Sequence, residues 1–80
     1  MYEETLKRLK EIMVDELDLD VAEIKGDSNL TRDLDINSLE FLNVIMVIEE
    51  SFGITLDENR LRVMKTVGEV VNYIVELQQK

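Results

Sequence analysis

Cysteine, histidine, proline and tryptophan are absent from this chain of 80 residues, and glycine occurs only three times. Without cysteine the chain forms no disulfide and offers no thiolate to a metal ion. Without histidine a serine has no ordinary general base, and no lysine stands in a serine-lysine motif, so the chain has no catalytic serine of its own. Few turn residues and a hydrophobic fraction of 45% disfavour a β-sandwich and predict one all-α domain over residues 1–80.

Positive charge is also scarce, because 9 Lys and Arg stand against 18 Asp and Glu and the formal net charge is -9. Nucleic acid and anionic membranes repel a polyanion, so we expect neither as a partner and expect basic proteins instead. The apolar run at residues 44–48 is far shorter than the ~20 residues that span a bilayer. The first residues lack a secretory signal. We therefore expect a soluble cytoplasmic monomer.

The first third of the chain predicts a helix followed by a long loop. Over residues 2–17 the apolar positions recur at steps of three and four, which places them on one helical face; they are Tyr2, Leu6, Leu9, Met13 and Leu17. Residues 18–37 hold most of the Asp, Asn and Ser, yet apolar residues keep returning, namely Leu19, Val21, Ile24, Leu30, Leu34 and Ile36. We expect this loop to be pinned to the core, and ordered loops of this length are often functional.

Capping residues predict three further helices. Asn37 followed by Glu40 forms a capping box at the start of helix two, which stops at Gly53. A short third helix covers residues 57–63. Thr66 followed by Glu69 caps a final helix that ends near residue 79. The result is a four-helix bundle with three main helices, a short third helix and a long first loop.

Helix two has an apolar arc and a border that the pattern leaves open. The predicted buried arc holds Phe41, Leu42, Val44, Ile45, Ile48 and Phe52. Leu39 and Met46 fall at its border, next to the polar positions of Asn43 and Glu50. An apolar stripe edged by acid is typical of a docking surface, and the alternative is that these two residues merely extend the core.

The acidic stretch from Asp33 resembles the start of a calcium-binding EF-hand loop but does not complete it. Counting from Asp33, position six is Ser38 where glycine makes the turn, and position twelve is Val44 where a bidentate glutamate is needed. We therefore predict no metal site.

Ser38 is the first residue of helix two in this prediction. Its hydroxyl would point toward solvent beside free backbone N–H groups and the positive end of the helix dipole, where an esterified phosphate is stabilised. Ser38 thus fits a substrate for modification better than a catalyst. The alternative is a small polar residue tolerated at a helix start.

The segment "LTRDLDINSLEFLNVIMVIEESFGITL" resembles the acyl carrier protein family, whose signature is Asp-Ser-Leu at the start of helix two. The resemblance extends over nearly the whole chain. The matching positions are Leu30, Asp33, Leu34, Ser38, Leu39, Glu49, Glu50 and Phe52, followed by Thr66, Val67, Tyr73 and Ile74 in the last helix.

The resemblance implies a carrier that is not itself an enzyme. A phosphopantetheinyl transferase would move 4'-phosphopantetheine from coenzyme A onto Ser38. The arm would supply the thiol that the chain lacks, and acyl groups would travel on it as thioesters between enzymes of fatty acid or polyketide-type biosynthesis. Two alternatives remain: a specialised carrier for aminoacyl or other cargo, and a non-carrier helical adaptor that binds a basic partner through helix two.

The family's recognition helix and acyl pocket map onto two sets of residues. The resemblance implies partner contacts at Leu39, Glu40, Asn43, Met46, Glu49 and Glu50. It implies an acyl pocket walled by Leu42, Ile48, Leu56, Leu61, Met64 and Val70. Leu61 and Val70 stand where smaller residues are common, so we predict short or medium acyl chains, or cargo that is not buried.

The chain departs from the family pattern before the serine and around helix three. Asn37 replaces the usual aspartate, which keeps the cap but removes a charge that transferases read. The third-helix region carries Arg60, Arg62 and Lys65 where many members are acidic. These departures favour a specialised carrier.

Overall fold

The four predicted helices all form in the computed structural model, which describes residues 2–79. Helix α1 covers Tyr2–Leu17, α2 covers Ser38–Phe52, α3 covers Glu58–Arg62 and α4 covers Val67–Gln78. No β-strand forms in this range, where the one strand-like contact is a bridge between Asn29 and Thr66. The prediction of an all-α bundle with a short third helix is confirmed. None of the helices described is long and apolar enough to cross a membrane.

The ends of α2 are fixed by local sequence, as predicted. The Asn37 side chain accepts a hydrogen bond from the Glu40 N–H at 2.8 Å, and the Asn37 N–H donates to the Glu40 carboxylate at 3.2 Å. At the other end Gly53 has a φ of 66°, the left-handed conformation that glycine adopts without a Cβ penalty. Because both ends are set by short-range contacts, the position of the first helical residue is well determined.

Helix α1 packs against both α2 and α4, and the core lies between them. The core side chains are almost completely withdrawn from solvent. Burial of each one stabilises the fold by about 1.5–3 kcal/mol relative to an exposed position. The largest of the fully buried side chains are Leu9, Met13, Ile24, Ile48, Leu61, Val67, Val71 and Ile74. Tyr2, at the start of the predicted apolar face of α1, is only partly buried, with 37% of its surface exposed.

The long loop between α1 and α2 is attached to the core as predicted. Four of its apolar side chains are buried, namely Ile24, Leu30, Leu34 and Ile36. Its backbone also bonds to the start of α4, because Val67 N–H donates to Ser28 O at 3.0 Å and Gly68 N–H donates to Gly26 O at 2.7 Å. Val21 does not follow the prediction, since it lies in a short 3₁₀ turn and is 55% exposed.

Helix α3 is held to α4 through Tyr73 and Glu76. The Asp57 N–H, at the cap of α3, donates to the buried Tyr73 hydroxyl at 3.0 Å. The Arg60 guanidinium lies 4.1 Å from the centre of the Tyr73 ring and pairs with Glu76 at 3.2 Å. Leu61, which is fully buried, attaches the other face of α3 to the core. These contacts place a five-residue helix opposite the start of α2.

Candidate functional site

Ser38 is the first residue of α2 and is exposed to solvent. The reciprocal bonds between Asn37 and Glu40 fix the turn that presents it. Within residues 2–79 its hydroxyl has no hydrogen-bond partner, and its backbone N–H is one of those that a helix start leaves without an intrahelical acceptor. The side chain is therefore accessible and free to be modified.

Within the part of the chain that the structure describes, the surroundings of Ser38 supply no catalytic partner. The chain has no histidine, and the Glu40 carboxylate next to the site accepts the Asn37 N–H. In the described residues no three acidic side chains converge in a way that could hold a metal ion. What the position does supply is the positive end of the α2 dipole, which stabilises an anion attached there.

A cavity of about 360 Å³ opens beside Ser38, between α2 and α3. This is within the size range of small-molecule sites. Its apolar lining consists of Leu30, Ile36, Phe41, Leu42, Ile45, Leu61 and Met64. Its polar lining consists of Thr31, Asn37, Ser38, Glu58 and Arg62. The attachment candidate and an apolar surface thus share one opening.

Half of the predicted acyl-pocket residues line this cavity. Leu42, Leu61 and Met64 do so, whereas Ile48 and Val70 border a separate internal gap of about 10 Å³ and Leu56 is buried away from both. The prediction that Leu42 lies in the buried arc is wrong, because its side chain is 41% exposed at the cavity rim, where the short α3 does not cover it.

Four apolar residues of the cavity were not predicted as its walls: Leu30, Ile36, Phe41 and Ile45. Phe41 and Ile45 were placed in the core from the periodicity of α2, and Leu30 and Ile36 were predicted only to pin the loop. The signal that could have found them is the position of Ile36 two residues before Ser38 and of Phe41 three residues after it. On a helix start these positions flank the serine.

The exposed face of α2 carries most of the predicted partner residues. Leu39 is 70% exposed and Met46 is 60% exposed, so the alternative that they extend the core is wrong. With Asn43 and Glu50, which are also exposed, they follow a spacing of four, three and four residues. This spacing keeps all four side chains on one helical face.

Two predicted partner residues have local structural bonds instead of free side chains. Besides the Glu40 bond to Asn37, the Glu49 carboxylate accepts the Leu56 N–H at 2.8 Å and so fixes the turn after α2. Glu50 forms no hydrogen bond or ion pair within the part of the chain that the structure describes. It is therefore the acidic side chain on α2 that is freest to meet a partner.

Comparison with known proteins agrees with this geometry. Residues 7–74 match the family described as "Phosphopantetheine attachment site". The acyl carrier protein of Petrotoga mobilis is 39% identical over 74 residues, which are 92% of this chain and 87% of that protein. This chain belongs to the acyl carrier protein family. It is accordingly a carrier and not an enzyme, and its cofactor is phosphopantetheine.

Other curated relatives show the same coverage. The acyl carrier protein of a Picosynechococcus species is 38% identical over 76 residues, or 95% of this chain and 94% of that protein. That of Clostridium acetobutylicum is 38% identical over 68 residues, or 85% of this chain and 88% of that protein. The resemblance therefore extends over nearly the entire carrier fold, from α1 to α4.

Proposed function

We propose that Ser38 bears the 4'-phosphopantetheine arm, and that this carrier delivers acyl groups as thioesters on the arm to enzymes of fatty acid or polyketide-type biosynthesis. The observation that carries the proposal is the position of the Ser38 hydroxyl. It is exposed and unpartnered among residues 2–79, at the first residue of α2 and at the mouth of an apolar cavity. The residues present fit the group, since a phosphate is stabilised at a helix start and an acyl chain in an apolar cavity.

The attachment step requires an enzyme to activate Ser38. Its Oγ forms a bond to the phosphorus of the pantetheine phosphate while the pyrophosphate bond of coenzyme A breaks, and the remaining nucleotide leaves. The hydroxyl proton goes to a base of the transferase, because this chain has no histidine and Glu40 is bonded to Asn37. When bound, the arm supplies the thiol that forms the thioester.

The cavity beside Ser38 favours short or medium acyl chains. The interior behind it is closely packed: Ile48, Val70, Val71 and Ile74 are at most 2% exposed, and the gap beneath α2 holds only about 10 Å³. A longer chain would have to displace these side chains, and close-packed cores resist added volume. We therefore expect cargo beyond the capacity of the first cavity to stay in solvent.

Partner enzymes meet the exposed face of α2 in this proposal. Leu39 and Met46 offer apolar contact, and Glu50 adds a negative charge to a chain whose net charge is -9. Such a field speeds encounters with basic patches, and its effect on affinity is small once salt screens it. Brief and exchangeable docking suits a carrier that visits the transferase and then several acyl-processing enzymes.

Intact-mass spectrometry tests the attachment site. The protein is incubated with coenzyme A and a transferase of broad specificity, and we expect the mass to rise by one phosphopantetheine group. Ser38→Ala should abolish the increase, whereas Ser51→Ala, an exposed serine at the other end of α2, should not. A folded wild-type protein that keeps its original mass, or loading that survives in Ser38→Ala, would overturn the proposal.

A further inference from the structure

We infer that Arg62 positions the phosphopantetheine arm by pairing with the phosphodiester on Ser38. The inference rests on the proposed attachment at Ser38 and deepens it. Arg62 is the last residue of α3 and lines the same cavity as Ser38, from the opposite wall. A side chain of this length on α3 can therefore extend across the opening toward the start of α2.

Among residues 2–79, Arg62 is the only cation in the cavity lining and Glu58 is the only anion there. The lining residues from the loop and from α2 are uncharged, so these two side chains of α3 set the charge of the opening. They are four residues apart and share a helical face, yet they form no ion pair with each other in the described residues. The guanidinium of Arg62 is therefore available to a further anion.

The neighbouring arginine shows that this availability is specific to one position of α3. Arg60 pairs with Glu76 and lies over the Tyr73 ring, so its charge is already used within the fold. Arg62 is exposed and has no hydrogen-bond or ion-pair partner among residues 2–79. Arg60 of α3 therefore contacts α4, whereas Arg62 lies in the cavity lining without a partner among the described residues.

A phosphodiester at Ser38 is a suitable anion for Arg62. It carries a permanent negative charge, and a guanidinium matches phosphate oxygens with two parallel N–H donors. The positive end of α2 attracts the same group from the other side. Glu58 repels it and so biases it toward Arg62. Pairing would hold the first part of the arm over the apolar cavity and would favour entry of the cargo over extension into solvent.

The test compares arm-loaded variants by nuclear magnetic resonance. Arg62→Ala is compared with Lys65→Ala, which removes one positive charge from an exposed residue three positions away that does not line the cavity. Arg62→Lys keeps the positive charge but removes the two parallel N–H donors of the guanidinium. The readouts are the phosphorus-31 shift of the phosphodiester, the Arg62 side-chain N–H shift on loading, and the nuclear Overhauser effects between the arm and the Met64 methyl group.

We expect loading to shift the Arg62 side-chain signal and to leave that of Arg60 in place. Arg62→Ala should move the phosphorus-31 signal and weaken the arm-to-Met64 effects by up to about fivefold, the range of exposed ion pairs. Lys65→Ala should leave the phosphorus-31 signal and the arm-to-Met64 effects unchanged. Arg62→Lys should give values between those of wild type and Arg62→Ala. Raising ionic strength from about 0.01 M to about 1 M should bring wild type close to Arg62→Ala, because the screening length falls from about 30 Å to about 3 Å.

Two failures are distinguishable. If the wild-type chain loads at Ser38 but Arg62→Ala gives the same phosphorus-31 shift and arm contacts as wild type, the role of Arg62 is refuted while the proposed function stands. Equal effects of Arg62→Ala and Lys65→Ala would also refute it, because they would show only a change in overall charge. If the wild-type chain does not load at all, the proposed function fails and the role of Arg62 fails with it.

Discussion

Replacing Gly68 by alanine should destabilise the carrier, although alanine is the better helix former. Gly68 is the second residue of α4, is buried and donates its N–H to Gly26 O at 2.7 Å. A Cβ on Gly68 would lie 2.7 Å from that same oxygen and 3.0 Å from the Tyr2 hydroxyl. Because the obstacle is a backbone carbonyl and not the end of a flexible side chain, the loop and α4 must move apart.

Three contributions determine the change in the free energy of unfolding, two of them destabilising and one stabilising. Overpacking costs about 1–3 kcal/mol, and weakening the Gly68 to Gly26 hydrogen bond costs about 1 kcal/mol. Alanine returns about 1 kcal/mol through its helix propensity. We therefore expect Gly68→Ala to lower the free energy of unfolding by about 2 kcal/mol, which in a domain of this size lowers Tm by roughly 8–16 °C.

The two other glycines supply matched controls in chemical and thermal unfolding followed by circular dichroism. At Gly53 a Cβ meets no atom of residues 2–79 within 4 Å, but φ is 66°, so alanine should cost only about 1–2 kcal/mol of backbone strain. At Gly26 the one described atom that a Cβ meets within 4 Å is the Tyr2 hydroxyl, at 2.9 Å. That side chain is 37% exposed and can rotate away, so Gly26→Ala should be the mildest.

Stability of Gly68→Ala equal to wild type, or greater than that of Gly26→Ala, would refute this reasoning. A second substitution separates the two contacts. Tyr2→Phe should relieve Gly26→Ala, whose only close contact is the hydroxyl. It should not rescue Gly68→Ala, because the closer obstacle there is the Gly26 carbonyl.

Three further predictions concern stability and use the same unfolding assays. Tyr73→Phe removes the acceptor of the Asp57 N–H and should lower the free energy of unfolding by about 1–2 kcal/mol; a variant as stable as wild type would contradict this. Glu49→Ala removes the acceptor of the Leu56 N–H and should cost about 1 kcal/mol, whereas Glu50→Ala should be close to neutral; equal effects would contradict the assigned role. Salt or millimolar magnesium should raise Tm, by about 4–8 °C for each kcal/mol of relieved repulsion, because the net charge is -9, and a Tm indifferent to both would contradict the charge argument.

The helices could be predicted because their causes are local in sequence. The α2 boundaries follow from Asn37, Glu40 and Gly53, whose contacts span no more than four residues. The faces of α1 and α4 follow from the apolar period. The position of Ser38 at a helix start follows from the same caps, whereas the prediction that it is the attachment site came from the resemblance to the carrier family.

What the sequence did not yield depends on contacts between distant segments. Leu42 fits the apolar arc of α2, but its exposure depends on how far α3 extends over it. Glu49 reads as a surface acid until the turn after α2 brings the Leu56 N–H to it. The approach of Gly26 to Gly68 joins residues that no periodic pattern relates. In each case the environment of the residue is decided by tertiary contacts and not by local propensity.

The two walls of the cavity differ in how firmly the fold holds them. Helix α2 has 15 residues, a capping box and a buried face against α1. Helix α3 has five residues, too few to be stable by itself, since isolated helices shorter than about 12–15 residues are marginal in water. It depends on Leu61 and on the Tyr73 contacts. The firmly held wall carries Ser38 and the exposed face of α2, so in the proposed function we expect attachment and partner recognition to be independent of cargo. The less stable wall, formed by α3 and the residues that follow it, carries Leu61, Arg62 and Met64. We therefore expect adaptation to different cargo to occur in α3.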